Sequence, residues 1–298
     1  MSQRQRSAAA AASTINRLAT TLRPARSDIA RWVRRLNYST RVNLPPAAGL
    51  PTADLTMVLP TYNERDRIAE LVKAVFSGCA PHGIQLELVI VDDHSPDGTG
   101  QVADELARTH RVRVIHRAGK LGLGTAVVAG FAAASAEIVG VMDADFSHPP
   151  ALVPRMLQTF KETNADLVVA SRYVHGGSTP DWPLKRRLLS RTACLLARPL
   201  SPVRDAASGF FLIRRDIARG TTIKAGGFKI CLELIVRSGA TRLVEVPYRF
   251  DDREQGESKM SLREAAGYVI QLRDLYRLRM TDRRRRRWQN RQIGRAHV

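Results

Sequence analysis

Residues 138–145 carry the sequence IVGVMDAD, an apolar run that ends in two aspartates, Asp143 and Asp145. A short apolar run of this kind predicts a buried strand, and its closing carboxylates indicate a site at the end of that strand. Because residues i and i+2 of an extended chain face the same side, both carboxylates can reach one cation. Carboxylate oxygens suit hard divalent ions, so this segment predicts a site for Mg²⁺ or Mn²⁺.

The chain between residues 51 and 280 repeats this pattern of short apolar runs separated by segments of helical periodicity. Strands are predicted at 55–59, 86–91, 112–115, 138–142, 167–170, 210–213 and 243–246. Helices are predicted at 64–76, 98–108, 121–134, 149–160, 183–198 and 260–278. The alternation predicts an α/β fold, Rossmann-like, with a mostly parallel sheet covered by helices on both faces. In such sheets ligands bind at the carboxyl ends of the strands.

Acidic residues recur at those carboxyl ends. They are Glu64 after the first strand, Asp92 and Asp93 after the second, and Asp143 and Asp145 after the fourth. Carboxylates gathered in this way repel one another unless a cation or hydrogen-bond donors compensate their charge. Three acidic strand ends in one sheet therefore support a bound cation more strongly than a single D-x-D motif does.

Basic residues accompany the acids. Arg172 follows the fifth predicted strand, and Arg253 and Lys259 flank a short polar segment further along the chain. Cations in a site rich in carboxylates indicate that phosphate groups bind there too. The segment that begins at Gly122 imitates a dinucleotide-binding motif, but Val127 stands where a small residue is needed, which disfavours that alternative.

Nucleophilic hydrolysis has no support in the sequence, which contains neither a GxSxG elbow nor a Cys/His pair. His94 and His148 are expected to be hydrogen-bonded loop residues rather than catalysts. Three widely spaced cysteines predict reduced thiols rather than a zinc site or a disulfide framework. The N-terminus lacks the apolar core of a signal peptide, and no segment is convincing as a membrane span.

The formal net charge of +19 is concentrated at the two ends of the chain. Residues 1–50 and residues 271–298 each carry +8, which leaves +3 for the part between them. A dedicated nucleic-acid-binding protein is expected to carry its basic surface on the folded domain, whereas basic ends suit an anionic membrane surface. A basic nucleic-acid-binding protein without catalysis is the alternative from another class.

These charges also suggest the domain organisation. Residues 1–50 are expected to form a basic extension, either flexible or a helix on the membrane surface, and residues 51–280 the folded domain. Residues 281–298 are expected to form a basic tail. Its last six residues match a translated sequencing adapter and are not expected to be native.

Six blocks of sequence follow one another in a fixed order. They are LPTYNE at 59–64, VDDHSPDGT at 91–99, KLGLGTA at 120–126, MDADFSHP at 142–149, SRY at 171–173 and GESKM at 256–260. Together they resemble the blocks of polyprenyl-phosphate (dolichyl-phosphate) mannose synthases, which are family 2 glycosyltransferases with a GT-A fold. One block departs from the family pattern, because Phe210 stands in DAASGFF at 205–211 where a small polar residue is common.

The resemblance implies a role for individual residues. Those that would contact the nucleotide are Pro60, Tyr62, Glu64, Val91 and Asp93. Those that would bind the diphosphate and its metal are Asp143, Ala144 and Asp145, with Ser147 as a further metal ligand. Those that would hold phosphates of donor and acceptor are Arg172, Arg253 and Lys259. The catalytic residues implied in this way are Asp143, Asp145 and Arg172.

The function implied by the resemblance is the transfer of mannose from GDP-mannose to a polyprenyl phosphate, with inversion and with Mg²⁺ or Mn²⁺ as cofactor. A donor such as UDP-glucose is the alternative within the same fold. The implied partners are the two substrates and an anionic membrane surface, with no nucleic acid, and a membrane-anchoring protein is left open. The implied location is the cytoplasmic face of a membrane, which in a bacterium is the plasma membrane. The predicted helix at 183–198 suits a membrane surface, because it combines leucines with basic residues.

Overall fold

The fold is described from a computed structural model. It describes residues 53–224, 229–250 and 262–295, with side chains in the last stretch described for residues 265–281. The predicted N-terminal extension at 1–50 and the predicted phosphate-binding residues Arg253 and Lys259 lie outside the described residues.

Strands and helices alternate along the chain. The strands are β1 (Leu55–Thr61), β2 (Leu86–Asp92), β3 (Val112–His116), β4 (Ile138–Val141), β5 (Leu167–Ser171), β6 (Phe211–Arg214) and β7 (Leu243–Pro247). The helices are α1 (Arg65–Cys79), α2 (Thr99–Thr109), α3 (Leu123–Ala133), α4 (Val153–Glu162), α5 (Leu184–Ala197), α6 (Arg215–Gly220), α7 (Ile230–Arg237) and α8 (Leu262–Arg295). Two short 3₁₀ helices, Ala80–His82 and Pro150–Leu152, follow α1 and precede α4.

The seven described strands form one sheet in the order β3–β2–β1–β4–β6–β5–β7. Neighbouring strands are parallel except for β6, which runs antiparallel to both β4 and β5. The predicted α/β fold with a mostly parallel sheet is therefore confirmed. The reversal of β6 follows from its connection, because the chain leaves α5 and enters β6 at the edge where the parallel strands end.

The core has two layers, one on each face of the sheet. Successive residues of a strand point to opposite faces, and in β1 Leu55, Met57 and Leu59 pack into one layer while Val58 packs into the other. The first layer includes apolar residues of α1, α2 and α4, and the second includes those of α3, α7 and α8. Both faces of β1 are buried, which is why its sequence is almost continuously apolar.

Two helices and part of a third differ from the sequence-based expectation. The pattern did not predict α6 and α7, which are only 6 and 8 residues long. Helix α8 continues to Arg295, well beyond the predicted end at residue 278, through an arginine run that favours helix. Within the described part of the chain, none of the helices combines the length and the apolar character needed to cross a membrane.

Helix α3 approaches the sheet closely where a glycine faces β1. A Cβ placed on Gly130 would overlap both methyl groups of the Val58 side chain. The small residue thus sets the distance between α3 and the strand, and α3 in turn begins next to the edge where β2 ends.

The substitution Gly130→Ala is expected to lower the free energy of unfolding by about 1–3 kcal/mol, because overpacking forces the helix or Val58 to shift. Urea unfolding measures the change. In the background Val58→Ala, which removes both obstructing methyl groups, the same substitution should cost less than about 1 kcal/mol, since alanine favours helix over glycine. Equal costs in the two backgrounds would contradict the close contact.

Candidate active site

The carboxyl ends of β1, β2, β4 and β5 lie at one edge of the sheet, because these strands are mutually parallel. The register places Thr61 at the end of β1 beside Asp92 at the end of β2. On the other side of β1, the backbone N–H of Met142 donates to the carbonyl oxygen of Val58 at 3.2 Å. The acidic segments that follow β1, β2 and β4 are therefore neighbours, as the sequence predicted.

Asp93 is a buried carboxylate held by two donors. Arg117 Nη1 donates to Oδ1, and the backbone N–H of Gly122 donates to Oδ2 at 2.9 Å. Arg117 also donates to the carbonyl oxygen of Gly122 at 3.1 Å and to Thr125 Oγ1, so it fixes the loop before α3. Burial lowers the pKa of Arg117, although Asp93 opposes that change. The carboxylate keeps lone pairs with which it can accept N–H groups of a ligand.

The other predicted nucleotide-binding residues lie on the same two strands or just beyond them. Pro60 and Val91 are register partners on β1 and β2. Tyr62 follows β1, and the ammonium group of Lys120 lies 3.6 Å from the centre of its ring, a cation–π contact. Glu64 directly precedes α1.

Two further acids at this edge support loops. Asp92 accepts the backbone N–H of Ser95 at 3.0 Å. Asp97 accepts backbone N–H groups from Thr99 at 3.0 Å and from Arg65 at 3.1 Å. Burial would raise the pKa of Asp97, but these hydrogen bonds outweigh it and the pKa is lowered. Both carboxylates therefore hold the chain around the start of α2.

The D-x-D segment follows β4 and has two different carboxylates. Asp143 has 38% of its side-chain surface exposed, and its backbone N–H donates to His148 Nδ1 at 3.1 Å. Asp145 is buried and its Oδ1 accepts the backbone N–H of Ser147 at 3.0 Å. Ala144 and Ser147 are buried as well. The segment is thus folded back on itself, with Asp143 as its accessible carboxylate.

His148 is a structural support of this segment rather than a base. Its ring is buried and stacks on Phe210 at 5.1 Å between centroids, with the rings of Tyr248 and Phe250 each 6.1 Å away. Burial lowers the pKa of His148 more than the carboxylates of the D-x-D segment raise it. Since Nδ1 accepts a hydrogen bond, the imidazole is neutral and carries its proton on Nε2. The expectation of a hydrogen-bonded loop histidine is consistent with this geometry.

A glycine borders the accessible carboxylate. A Cβ on Gly209 would lie 3.2 Å from Asp143 Oδ2 and 3.3 Å from His148 Cε1. The segment before β6 therefore passes closely over the D-x-D segment, and a Cβ at Gly209 would require Asp143 or His148 to shift by a few tenths of an ångström.

The donor set fits a divalent cation that is shared with a ligand. Over the described ranges, no three His, Cys, Asp or Glu side chains group closely enough to hold a metal ion by themselves. Asp143 and Asp145 offer hard oxygen donors, however, and Mg²⁺ is often bound by one or two carboxylates together with substrate phosphates and water. Ser147 contacts Asp145 through its backbone N–H, and a role for its hydroxyl as a metal ligand stays a prediction.

Arg172 lies directly after β5 in a buried ion pair. Its Nε and Nη2 donate to the two carboxylate oxygens of Asp205, both at 2.7 Å. Burial by itself would lower the pKa of the Arg172 guanidinium, but the Asp205 carboxylate outweighs it and holds the pKa above the ordinary value. The contact of Arg172 with phosphate remains a prediction, and the structure adds that Asp205 pairs with its guanidinium.

Lys229 is a further cation at this edge that the sequence analysis did not identify. Lys229 is half-buried, and burial together with Arg172 lowers its pKa while Asp143 and Asp205 oppose the change. The backbone N–H and carbonyl of Lys229 both pair with the side-chain amide of Gln271 on α8, at 3.2 Å each. Asp143, Arg172, Asp205 and Lys229 therefore form one electrostatically coupled group.

Some of these residues had a signal in the sequence and others had none. Arg117 directly follows β3, at a strand end where the sequence places ligand-binding residues. Asp205 opens the DAASGFF block that the sequence analysis compared with the family pattern. Lys229 precedes a helix too short for its periodicity to be recognised. The contact of Gly209 with Asp143 depends on the antiparallel entry into β6, which the local sequence does not encode.

The structure is that of an α/β protein whose candidate site gathers carboxylates and arginines at the carboxyl ends of its parallel strands. Residues 56–221 match the sequence profile of Glycosyl transferase family 2. The chain belongs to this family, as the resemblance implied.

Several relatives carry names of one kind. A dolichol-phosphate mannosyltransferase of Pyrococcus furiosus is 38% identical over 228 residues, and the match covers 75% of this chain but only 63% of that protein. The dolichol-phosphate mannosyltransferase of Saccharomyces cerevisiae is 36% identical, covering 75% of this chain and 87% of the relative. A polyprenol monophosphomannose synthase of Mycolicibacterium smegmatis is 39% identical, with 74% and 87% covered.

Solved structures share the fold. Mannosyl-3-phosphoglycerate synthase from Rubrobacter xylanophilus superposes with a TM-score of 0.56 at 19% identity, covering 78% of this chain and 75% of that one. Glucosyl-3-phosphoglycerate synthase from Mycobacterium tuberculosis, solved with Mg²⁺ and UDP, has a TM-score of 0.53 at 22% identity, with 74% and 76% covered. These are GT-A glycosyltransferases, so the predicted fold class is confirmed.

Gly209→Ala is expected to weaken Mn²⁺ binding in the presence of GDP by about tenfold, because the added Cβ displaces the Asp143 carboxylate and ligand positions must be precise. Isothermal titration calorimetry measures the affinity. Gly220→Ala is the matched control, since a Cβ at Gly220 meets no atom within 4 Å. Unchanged Mn²⁺ affinity in Gly209→Ala would contradict the combination of a close Gly209–Asp143 contact and a metal-binding Asp143.

Proposed function

We propose that the protein transfers mannose from GDP-mannose to a polyprenyl phosphate at a membrane surface, with inversion at the sugar. The observation that carries this proposal is that Asp93 after β2 and the pair Asp143 and Asp145 after β4 lie at the same end of the sheet, on either side of β1. The chain is also 36–39% identical to dolichol-phosphate mannosyltransferases and a polyprenol monophosphomannose synthase. A sugar-nucleotide donor needs one site for its base, which Asp93 after β2 would provide. It needs a second site for a cation on its diphosphate, which Asp143 and Asp145 after β4 would provide.

The donor would lie across the ends of β2, β1 and β4. Asp93, oriented by Arg117, would accept N–H groups of the base, and Pro60 and Val91 would form the adjoining wall. Lys120 would have to leave the exposed face of Tyr62 for a base to stack there, or would stay and contact the ligand from that face. The diphosphate would then reach the D-x-D segment after β4.

Asp143 and Asp145 would hold Mg²⁺ or Mn²⁺ at that point. The cation, when bound, offsets the negative charge that builds on the diphosphate leaving group. Gly209 leaves room for the Asp143 carboxylate, and His148 fixes its backbone.

The acceptor would supply its own nucleophile. A phosphate monoester already carries more than one negative charge at pH 7, so its oxygen can attack without a strong general base. This agrees with the state of His148, whose Nδ1 is occupied by the backbone N–H of Asp143. A single displacement would invert an α-linked donor and give a β-linked mannosyl phosphate.

Helix α5 offers a surface suited to a membrane. Leu184, Leu188 and Leu195 are 78%, 65% and 69% exposed, and their spacing of four and seven residues places them on one face of the helix. Basic side chains of the same helix are Lys185, Arg186, Arg187 and Arg191. Exposed leucines beside basic residues favour the boundary between acyl chains and anionic headgroups.

The proposed activity is tested by incubating purified protein with labelled GDP-mannose, Mg²⁺ and polyprenyl phosphate in detergent, followed by lipid extraction. We expect labelled lipid from the wild type, and at least about a 100-fold lower rate from Asp145→Asn, because a metal ligand is lost. Asp104→Asn, an exposed aspartate on α2, is the control and should keep full activity. Transfer from UDP-glucose but not from GDP-mannose would refute the donor assignment.

The membrane assignment is tested by flotation with vesicles that contain phosphatidylglycerol. Replacing Leu184, Leu188 and Leu195 together by serine is expected to lower vesicle binding by about tenfold or more, since buried apolar area drives interfacial binding. The matched control replaces Leu121, an exposed leucine elsewhere, by serine. Equal binding by the triple variant and the wild type would contradict α5 as the membrane contact.

A further inference from the structure

Asp205 lies in the loop between α5 and β6, and it is completely buried. Its carboxylate accepts three hydrogen bonds from Arg172, from the backbone N–H at 3.0 Å and from Nε and Nη2 at 2.7 Å each. The thiol of Cys194 on α5 also donates to Oδ1, at 3.7 Å. Burial raises the pKa of that thiol to about 12, so it stays a donor at neutral pH.

This contact determines how the Arg172 side chain is directed. A guanidinium has five N–H groups in one plane, and the Nε–Nη2 edge is occupied by Asp205. Three aromatic rings surround the same group, with centroids 5.2 Å away in Trp182, 5.4 Å in Tyr173 and 5.6 Å in Phe250. The orientation of the plane is therefore set by Asp205, and the N–H groups on Nη1 point away from the pair.

The position of Asp205 is itself fixed from the sheet. The backbone N–H groups of Arg204 and Asp205 donate to the two carboxylate oxygens of Glu245 on β7, at 2.8 Å and 3.0 Å. Four residues after Asp205, Gly209 lies against the Asp143 carboxylate. One short segment thus contacts Arg172 at its first residue and the D-x-D segment at its last.

We propose that Asp205 is a positioning residue, which holds Arg172 so that its free edge binds a phosphate group of the donor or of the acceptor. The proposal rests on the proposed function, because that function supplies phosphate-bearing ligands. The segment 205–209 then fixes the spacing between this phosphate contact and the carboxylates that bind the cation.

A purely structural ion pair is the competing explanation. Buried pairs are weak evidence for stability, because desolvation offsets much of the attraction between the charges. The chain offers a matched pair for comparison, Glu87 with Arg113 at 3.1 Å, at the opposite end of β2. Glu87 is as buried as Asp205 and also accepts several hydrogen bonds.

The experiment compares Asp205→Asn, Arg172→Lys, the double variant and the control Glu87→Gln. Farnesyl phosphate and GDP with Mg²⁺ are used as separate probes in calorimetry, and kcat and KM are measured per folded molecule. Asp205→Asn is expected to weaken the binding of one of the two probes by about 10–100-fold, because the Arg172 guanidinium would no longer be oriented toward the phosphate of that probe. The probe that is affected identifies whether the phosphate belongs to the acceptor or to the donor.

The double variant separates positioning from a second, independent role. If Asp205 acts through Arg172, the double variant should lose no more than Arg172→Lys alone. Glu87→Gln should lower the stability but leave both probes bound as in the wild type. Losses that multiply in the double variant, or a Glu87→Gln variant that loses binding equally, would overturn the proposal.

A milder variant is available if Asp205→Asn does not fold. Glu245→Gln loosens the support of the Asp205 backbone while leaving the Arg172–Asp205 pair, and it should weaken the same probe by a few-fold. Unchanged binding in Glu245→Gln would then overturn the proposal. If the wild type binds neither probe, the proposed function itself is refuted. If the wild type and Asp205→Asn bind both probes equally tightly, only the positioning role is refuted.

Discussion

Compensation of negative charge at one edge of the sheet is the constraint on which the rest of this structure depends. Parallel strands bring the acids after β1, β2 and β4 together, and carboxylates so close raise one another's energy unless donors or cations face them. Asp93 accepts a hydrogen bond from Arg117, Asp97 accepts them from backbone N–H groups, and Asp205 accepts them from Arg172. Asp143 interacts with the charge of Lys229 but keeps more than a third of its side-chain surface exposed, so its carboxylate stays accessible.

The antiparallel strand β6 makes this arrangement complete. A parallel strand in its place would begin at the opposite edge of the sheet, and its preceding loop would lie far from the acids. Because β6 runs the other way, the loop that holds Asp205 and Gly209 arrives at the carboxyl ends of β4 and β5. The glycine can then border Asp143 while the aspartate pairs with Arg172.

The parts of the fold that could be predicted from the sequence are those encoded by local periodicity. All seven described strands have counterparts in the prediction, because each contains a short apolar run, and β2 and β5 are buried along their whole length. The acids at the ends of β1, β2 and β4 indicate where the candidate site lies. Helices α6 and α7 were missed since 6 and 8 residues span too few turns for a periodic pattern. The pairing of Arg172 with Asp205, and the place of Lys229, depend on contacts between residues more than 30 positions apart, which one sequence does not reveal.

Helix α5, the proposed membrane contact, is linked by hydrogen bonds to the candidate site and to α8. Tyr173, next to Arg172, donates to Ser190 Oγ on α5 at 2.7 Å. Tyr268 and Tyr276 on α8 donate to the backbone carbonyls of Ala193 and Leu196, also at 2.7 Å each. The inner side of α5 is thus fastened at three points while its leucines face outward. If those leucines rest in a bilayer, as proposed, the hydrogen bond from Tyr173 places the residue next to Arg172 on the helix that makes the membrane contact.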